Sequence, residues 1–244
     1  MDFPQEFFLL ENIPHDKFPE HICIIPDGNG RWAKKHKKFV TEGHRKGFDA
    51  ARKIIEMLSN IPQVKIVTIW GFSSDNWKRN KREIAGLMRI FELLVQMFLK
   101  KAKENNARFI HLGRKDRIPS FLKKALIYAE DATKHNTGQI VVIAIDFGGE
   151  DQDIRSIELA RQQPYIQVDP TTLWQFRDGN GQIKSADLLI RTSGEFRTSD
   201  IGWLNGARTE LYFTPKFFPD IIPMDIAIAI VDFSKRERRM GGRK

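Results

Sequence analysis

Cysteine is nearly absent from this chain; the one present, Cys23, lies inside an apolar run. An internal disulfide is therefore excluded, and a reducing, cytoplasmic setting is expected. No apolar stretch is long enough to span a bilayer. The first residues carry acids early and contain no clean apolar segment, so a secretory leader is not expected. Zinc-type spacing of His, Cys and carboxylates is missing, as are a P-loop, a G-x-G-x-x-G and a G-x-S-x-G. Those absences argue against nucleotide hydrolysis, hydride transfer and serine hydrolysis.

What is present begins with charge. There are 40 Lys and Arg against 31 Asp and Glu, a formal net charge of +9. Such an excess suits nucleic acid, an anionic membrane surface or phosphorylated substrates. The cations are dispersed, apart from 34–38 (KKHKK) and 235–244 (KRERRMGGRK), as solvated helix faces are. No contiguous basic face is visible, so nucleic acid is not an expected partner.

Neither repeats nor a linker interrupt the chain, which is expected to form a domain over 21–244 behind an N-terminal extension, 1–20. Short apolar runs at 21–26, 64–72, 107–112, 139–147, 186–191 and 209–213 read as strands. Between them, 43–60, 80–105, 118–135, 149–163 and 223–236 read as helices. This alternation predicts a single α/β domain whose mostly parallel central sheet is flanked by helices on both faces. Ligands gather at the carboxyl ends of strands in such sheets. Helix 80–105 is apolar over most of its circumference, which suits a core or dimer helix or the wall of an apolar cleft.

Three clusters follow strand ends. The first is Pro26-Asp27-Gly28-Asn29-Gly30-Arg31-Trp32. Glycines let backbone amides approach a ligand, and helix-start amides attract anions. A carboxylate beside bound phosphate needs a cation between them, which implies Mg²⁺; an ordinary Asp-Gly turn is the plainer reading. The second, Phe72-Ser73-Ser74-Asp75-Asn76-Trp77-Lys78-Arg79, mixes small polar groups with aromatics, suiting a ligand with an anionic head and apolar body. Simple helix capping by Ser74 or Asp75 is its alternative. The third, Arg191 through Ser199, brackets a glycine with Arg191 and Arg197, and arginine forks bind phosphate bidentately. Glu210, in the apolar run TELYF, is a second acid that needs a cation or a metal as partner. His44 is either structural or a donor to a phosphate.

Taken together, HICIIPDGNGRWAKK (21–35), EGHRKG (42–47), FSSDNWKR (72–79), LIRTSGEFR (189–197), TELYFTPKFFPD (209–220) and FSKRERRMGG (233–242) resemble the cis-prenyltransferases, the undecaprenyl diphosphate synthase family. The resemblance implies condensation of isopentenyl diphosphate with an allylic diphosphate to a cis-configured prenyl diphosphate. It also implies a homodimer, a six-stranded sheet and an apolar tunnel for the growing chain. By this resemblance Asp27 engages Mg²⁺ and the allylic diphosphate, with Gly28, Asn29, Gly30, Arg31, Trp32 and His44 around it. Asn76 assists proton loss, with Phe72, Ser73, Trp77 and Arg79 near the reacting carbons. Arg191, Arg197 and Ser199 hold isopentenyl diphosphate, and Glu210 contributes to metal binding. Peripheral contact with the inner face of the membrane is implied through the lipid product. Arg239-Met240-Gly241 resembles a segment that reaches the partner subunit's site.

The chain departs from the family pattern at Val40, at Asp146-Phe147, at Glu150 and across 200–208. These differences leave open a short-chain or irregular (branching, head-to-middle) synthase using dimethylallyl diphosphate. A different class, a non-catalytic polyprenyl-binding subunit, is disfavoured because Asp27 and the arginines are intact. Gly71 stands where a bulky residue shortens the product in some relatives, and so points to a longer chain.

Overall fold

The computed structural model describes residues 5–163 and 165–238. Its strands are β1 (His21–Ile25), β2 (Ile66–Ser73), β3 (Arg108–Leu112), β4 (Ile140–Phe147), β5 (Leu188–Arg191) and β6 (Glu210–Phe213). They form one sheet in the order β3-β4-β2-β1-β5-β6, and every pairing is parallel. Helices α1 (Asn29–Lys35), α2 (Val40–Leu58), α3 (Lys81–Asn105), α4 (Ser120–Thr133), α5 (Gly149–Arg161) and α6 (Pro223–Lys235) surround it.

Every residue of β1 is buried, which is why its sequence is a continuous apolar run rather than an alternating one. Because strand side chains alternate in direction, Ile22 and Ile24 pack on one face with Ile54 and Leu58 of α2 and Ile230 and Phe233 of α6. Cys23 and Ile25 pack on the other with Val142, Leu189 and Trp203. A third cluster lies where Met88, Phe91 and Val95 of α3 meet Leu122 and Leu126 of α4 over Phe72 and Ile145. Each fully buried side chain of this size contributes about 1.5–3 kcal/mol. Leu10 and Phe18, from the expected N-terminal extension, are buried in the first cluster. Arg239, Met240 and Gly241 lie outside the described residues.

Strand order places the site. The chain leaves β1 for β2 on one side and returns much later as β5 on the other. The carboxyl ends of β1, β2 and β5 therefore face one crevice, as expected where strand order reverses.

Candidate active site

A cavity of about 770 Å³ opens at those strand ends. Asp27 follows β1 at its mouth. Its Oδ2 accepts from Arg191 Nη2 at 3.0 Å, its Oδ1 from the Gly28 N–H at 2.7 Å, and Arg31 Nη2 stands 3.4 Å from Oδ1. The backbone there is clamped as well, since the Asp27 carbonyl accepts from Thr192 Oγ1 and from the Phe218 N–H. Gly28 takes φ +99°, and a Cβ on it would lie 2.7 Å from Ser193 Oγ and 2.8 Å from the Phe217 ring. Only glycine serves here. The chain then turns directly into α1, so Asp27 and residues Gly28, Asn29, Gly30 and Arg31 line the same opening.

Helix α2 lies hard against this loop. A Cβ on Gly47 would sit 2.1 Å from Asn29 Oδ1, and one on Gly43 2.2 Å from the Asn29 carbonyl. These two positions, one turn apart, explain the spacing of EGHRKG. Between them His44 is buried and lines the cavity, 3.1 Å from Glu83 Oε1, which also accepts from Arg79 Nη1 at 3.2 Å. Burial holds the His44 pKa below its ordinary value, with Glu83 opposing. Asn29 Oδ1 is buried and has no hydrogen-bond partner, while its Nδ2 donates to the Pro26 carbonyl.

From β5, Arg191 is 4% exposed, and besides Asp27 it donates to the Arg197 carbonyl at 2.6 Å and Ser199 Oγ at 2.8 Å. From β2, the Ser73 N–H donates to Asn76 Oδ1 at 3.1 Å. Asp27, Gly28, Asn29, Gly30, Arg31 and His44 line the cavity, and so do Ser73, Asn76, Arg79, Arg191 and Ser199.

Five residues expected in the site lie outside that lining. Trp32 faces away, donating from Nε1 to Asp220 at 2.7 Å and stacking on His36. Phe72 is fully buried in the core, edge-on to Trp77. Trp77 Nε1 donates to Asp146 Oδ1 at 2.8 Å. The Arg197 side chain is exposed and paired with Glu195; its carbonyl, not its guanidinium, joins the network. Glu210 pairs with Arg236 at 2.9 Å. It is level with Leu188, three residues before Arg191 on β5, so about 10 Å of strand separates it from the level of Ile25 and Arg191, and Asp27 lies beyond that. Within one chain these two carboxylates do not share a metal, and among the described residues no group of three His, Cys, Asp or Glu is placed to hold one. One carboxylate with substrate phosphates nevertheless suits Mg²⁺, which keeps several waters and binds phosphate oxygens readily. The donor set at Asp27 fits that ion.

The lower cavity is apolar, lined by Phe48, Ala51, Ile69, Leu87, Phe91 and Leu94. The sequence left α3 open between a core or dimer helix and a cleft wall; Leu87, Phe91 and Leu94, at helical spacing, are residues of its apolar run that meet the cavity. A second cavity of about 260 Å³ lies between α2 and α3, and Leu94 borders both. At the rim stand Glu150, Asp151 and Asp200, whose Oδ1 and carbonyl accept from the Glu150 and Gly149 N–H groups and dock the Ser199 loop on α5. A polar, cation-lined region beside an apolar one fits a diphosphate with a hydrocarbon body.

Comparison with known proteins agrees. The Prenyltransf family model, for undecaprenyl diphosphate synthase, matches residues 25–241. An isoprenyl transferase of Bacillus cereus is 34% identical over 239 residues, 96% of this chain and 92% of its own length. A farnesyl-diphosphate-specific ditrans,polycis-undecaprenyl-diphosphate synthase of Vibrio parahaemolyticus is 36% identical over 231 residues, 93% of this chain and 92% of its own. Among solved structures, lavandulyl diphosphate synthase of Lavandula x intermedia, in complex with dimethylallyl diphosphate, superposes with a TM-score of 0.87 at 32% identity, covering 93% of this chain and all of that one.

Proposed function

The chain belongs to the undecaprenyl diphosphate synthase family, and from that premise we propose which of its residues carry the reaction and how long a product it makes. It is a cis-prenyltransferase that condenses isopentenyl diphosphate with an allylic diphosphate. In this reading the allylic diphosphate lies across Asp27, Arg31 and the Gly28–Arg31 amides, with the apolar group directed toward Phe48 and Phe91. As the allylic C–O bond breaks, negative charge grows on the departing diphosphate, where Arg31 and the backbone N–H groups already point; donors fixed in advance stabilise that charge without reorganisation. Asp27 would hold Mg²⁺, which when bound would supply Lewis-acid neutralisation of the same group. Arg191, braced by Ser199, holds Asp27 in place and receives isopentenyl diphosphate with Ser199, and the exposed Arg197 guanidinium joins them by exchanging Glu195 for the diphosphate. The apolar walls keep water from the allylic cation. Asn76 has its oxygen committed to Ser73, so it offers N–H groups and orients the proton acceptor rather than taking the proton.

The observation that carries this reading is the Asp27–Arg191 contact at the mouth of a cavity whose far end is apolar. The Phe91 ring, which fills the space beside Gly71 and lines the apolar part of the cavity, supports a short product. A homodimer is supported by α5, which buries Gln152 and Ser156 but leaves Ile154 and Ile157 more than half exposed; a second copy would cover that face. The family reading favours a cytoplasmic setting with peripheral contact to the inner face of the membrane through the lipid product; as a separate matter, no helix of the described residues is long and apolar enough to cross a membrane.

A second reading, irregular coupling of two dimethylallyl diphosphates, is favoured by the likeness to lavandulyl diphosphate synthase. One experiment separates them: labelled isopentenyl diphosphate with Mg²⁺ and C5, C10, C15 or C20 primers, beside dimethylallyl diphosphate alone. Product only with isopentenyl diphosphate supports regular elongation, and product from dimethylallyl diphosphate alone supports irregular coupling. No product under any condition overturns both.

A further inference from the structure

β2 and β4 slip twice against each other near their carboxyl ends. Trp70 pairs with Ala144, Phe72 with Ile145 and Ser73 with Phe147, so Gly71 is the extra residue on β2 and Asp146 the extra residue on β4. Bulges of this kind re-aim a side chain and recur beside active sites. Asp146 takes φ +55°, a left-handed conformation that only Asn, Asp and Gly adopt readily. Its side chain is completely buried, and a buried carboxylate requires partners. It has three donors: Arg117 Nε at 2.8 Å, Arg117 Nη2 at 2.6 Å and Trp77 Nε1 at 2.8 Å.

The third donor connects this buried group to the site. Trp77 belongs to the Ser74–Lys78 helical turn. The neighbours of Trp77 in that segment, Ser73, Ser74, Asp75, Asn76 and Arg79, line the cavity, while its own ring turns the other way, edge-on to Phe72 at 5.1 Å. Asn76 and Trp77 are adjacent, so rotation of the turn that releases the indole also displaces the Asn76 amide. Arg117 is 41% exposed on its side chain; it neutralises the carboxylate and holds both oxygens in plane. Left-handed backbone at a buried acid, next to a reacting centre, is the kind of local strain that a functional constraint maintains.

We infer that Asp146 is a positioning residue of the prenyl-transfer reaction: through the Trp77 indole it fixes the turn that presents Asn76 and Arg79 to the reacting carbons. The inference rests on the prenyl-transfer reading. It concerns orientation in the transition state, so it predicts an effect on kcat rather than on KM.

The test compares wild type with W77F, which keeps the ring and removes the N–H, and with D146A, D146N and the W77F/D146A pair. Steady-state rates are measured well below each variant's unfolding midpoint. W77F and D146A are each expected to lower kcat about tenfold or more, with both KM values within about threefold of wild type. The pair should be no slower than the worse single variant, because both remove one link. D146N keeps an oxygen for the indole while Arg117 swings to solvent, and should recover most of the loss. Wild-type kcat in W77F, or losses that multiply in the pair, would overturn the inference. If D146A fails to fold, W77F against D146N still decides. An inactive wild type instead overturns the reaction reading itself.

Discussion

The Phe91 ring occupies the space that a side chain at position 71 would need: a Cβ on Gly71 would lie 2.7 Å from Phe91 Cε1. The open space that Gly71 implied in the sequence, and with it the argument for a long product, is filled from α3. Phe91→Ala should therefore lengthen the product by at least one C5 unit, read by chromatography of the dephosphorylated products. It should also lower stability by about 3–5 kcal/mol, the usual cost of emptying a buried phenylalanine site. Unchanged product length would place the floor of the cavity elsewhere.

Asp27→Asn should reduce turnover by about 10²–10³-fold or more, the range seen when one preorganised charge-stabilising group is lost. Arg191 keeps the Arg197 carbonyl and Ser199 Oγ as acceptors, so the variant should still fold cooperatively. An excess of chelator should silence the wild type and added Mg²⁺ should restore it. Chelator-insensitive turnover would remove the metal from the scheme.

Arg191 and Arg197 should separate cleanly. Arg191→Met breaks a half-buried ion pair with Asp27, which keeps Arg31 and the Gly28 N–H as partners, and should cost about 1–3 kcal/mol of stability as well as turnover. Arg197→Ala leaves the backbone carbonyl in place and removes an exposed guanidinium. Its stability should stay within about 0.5 kcal/mol, while KM for isopentenyl diphosphate rises more than that for the primer. The opposite order of KM effects would reassign the two diphosphate positions.

Acid should destabilise the protein through two histidines remote from the chemistry. Burial lowers the pKa of His21 to about 4 and of His111 to about 3. The unfolded chain takes up these protons near pH 6.5 and the folded chain does not, so stability is complete above that pH and falls as the solution is acidified toward pH 4. The pair should cost about 4 kcal/mol between pH 7 and pH 5, measured by urea unfolding at each pH. A flat profile over that interval would contradict the assignment.

All six strands were legible to within two residues at either end, because two-sided burial writes itself as Val and Ile runs: 139–147 against Ile140–Phe147, for example. Helix α1 was not read as a helix, since Gly28 and Gly30 flank its start and glycine carries no helical signal. Helix α2 begins at Val40 rather than 43, because Glu42 reaches back to the Phe39 N–H at 3.0 Å. Chemistry at strand ends pointed to Asp27, Arg31, Arg79 and Arg191, which line the cavity, and also to Glu210 and Arg197, which do not. Trp32, Phe72 and Trp77 were not, since adjacency in sequence grouped them with polar neighbours while the backbone turned their rings the other way. Asp146 looked like an isolated difference until the double slip of β2 on β4 supplied its partners. No local pattern announces a bulge whose cause lies on a neighbouring strand.

The placement of β1 between β2 and β5 also has a consequence for biosynthesis. Asp27 and Arg191 are 164 residues apart, so the loop bearing the acid leaves the ribosome long before the strand that anchors it. Until β5 emerges, β1 presents one edge with unsatisfied N–H and C=O groups, an invitation to pair with another nascent chain. Completion of the sheet and assembly of the diphosphate cradle are thus a single late event, and fragments ending before residue 191 should be both inert and aggregation-prone.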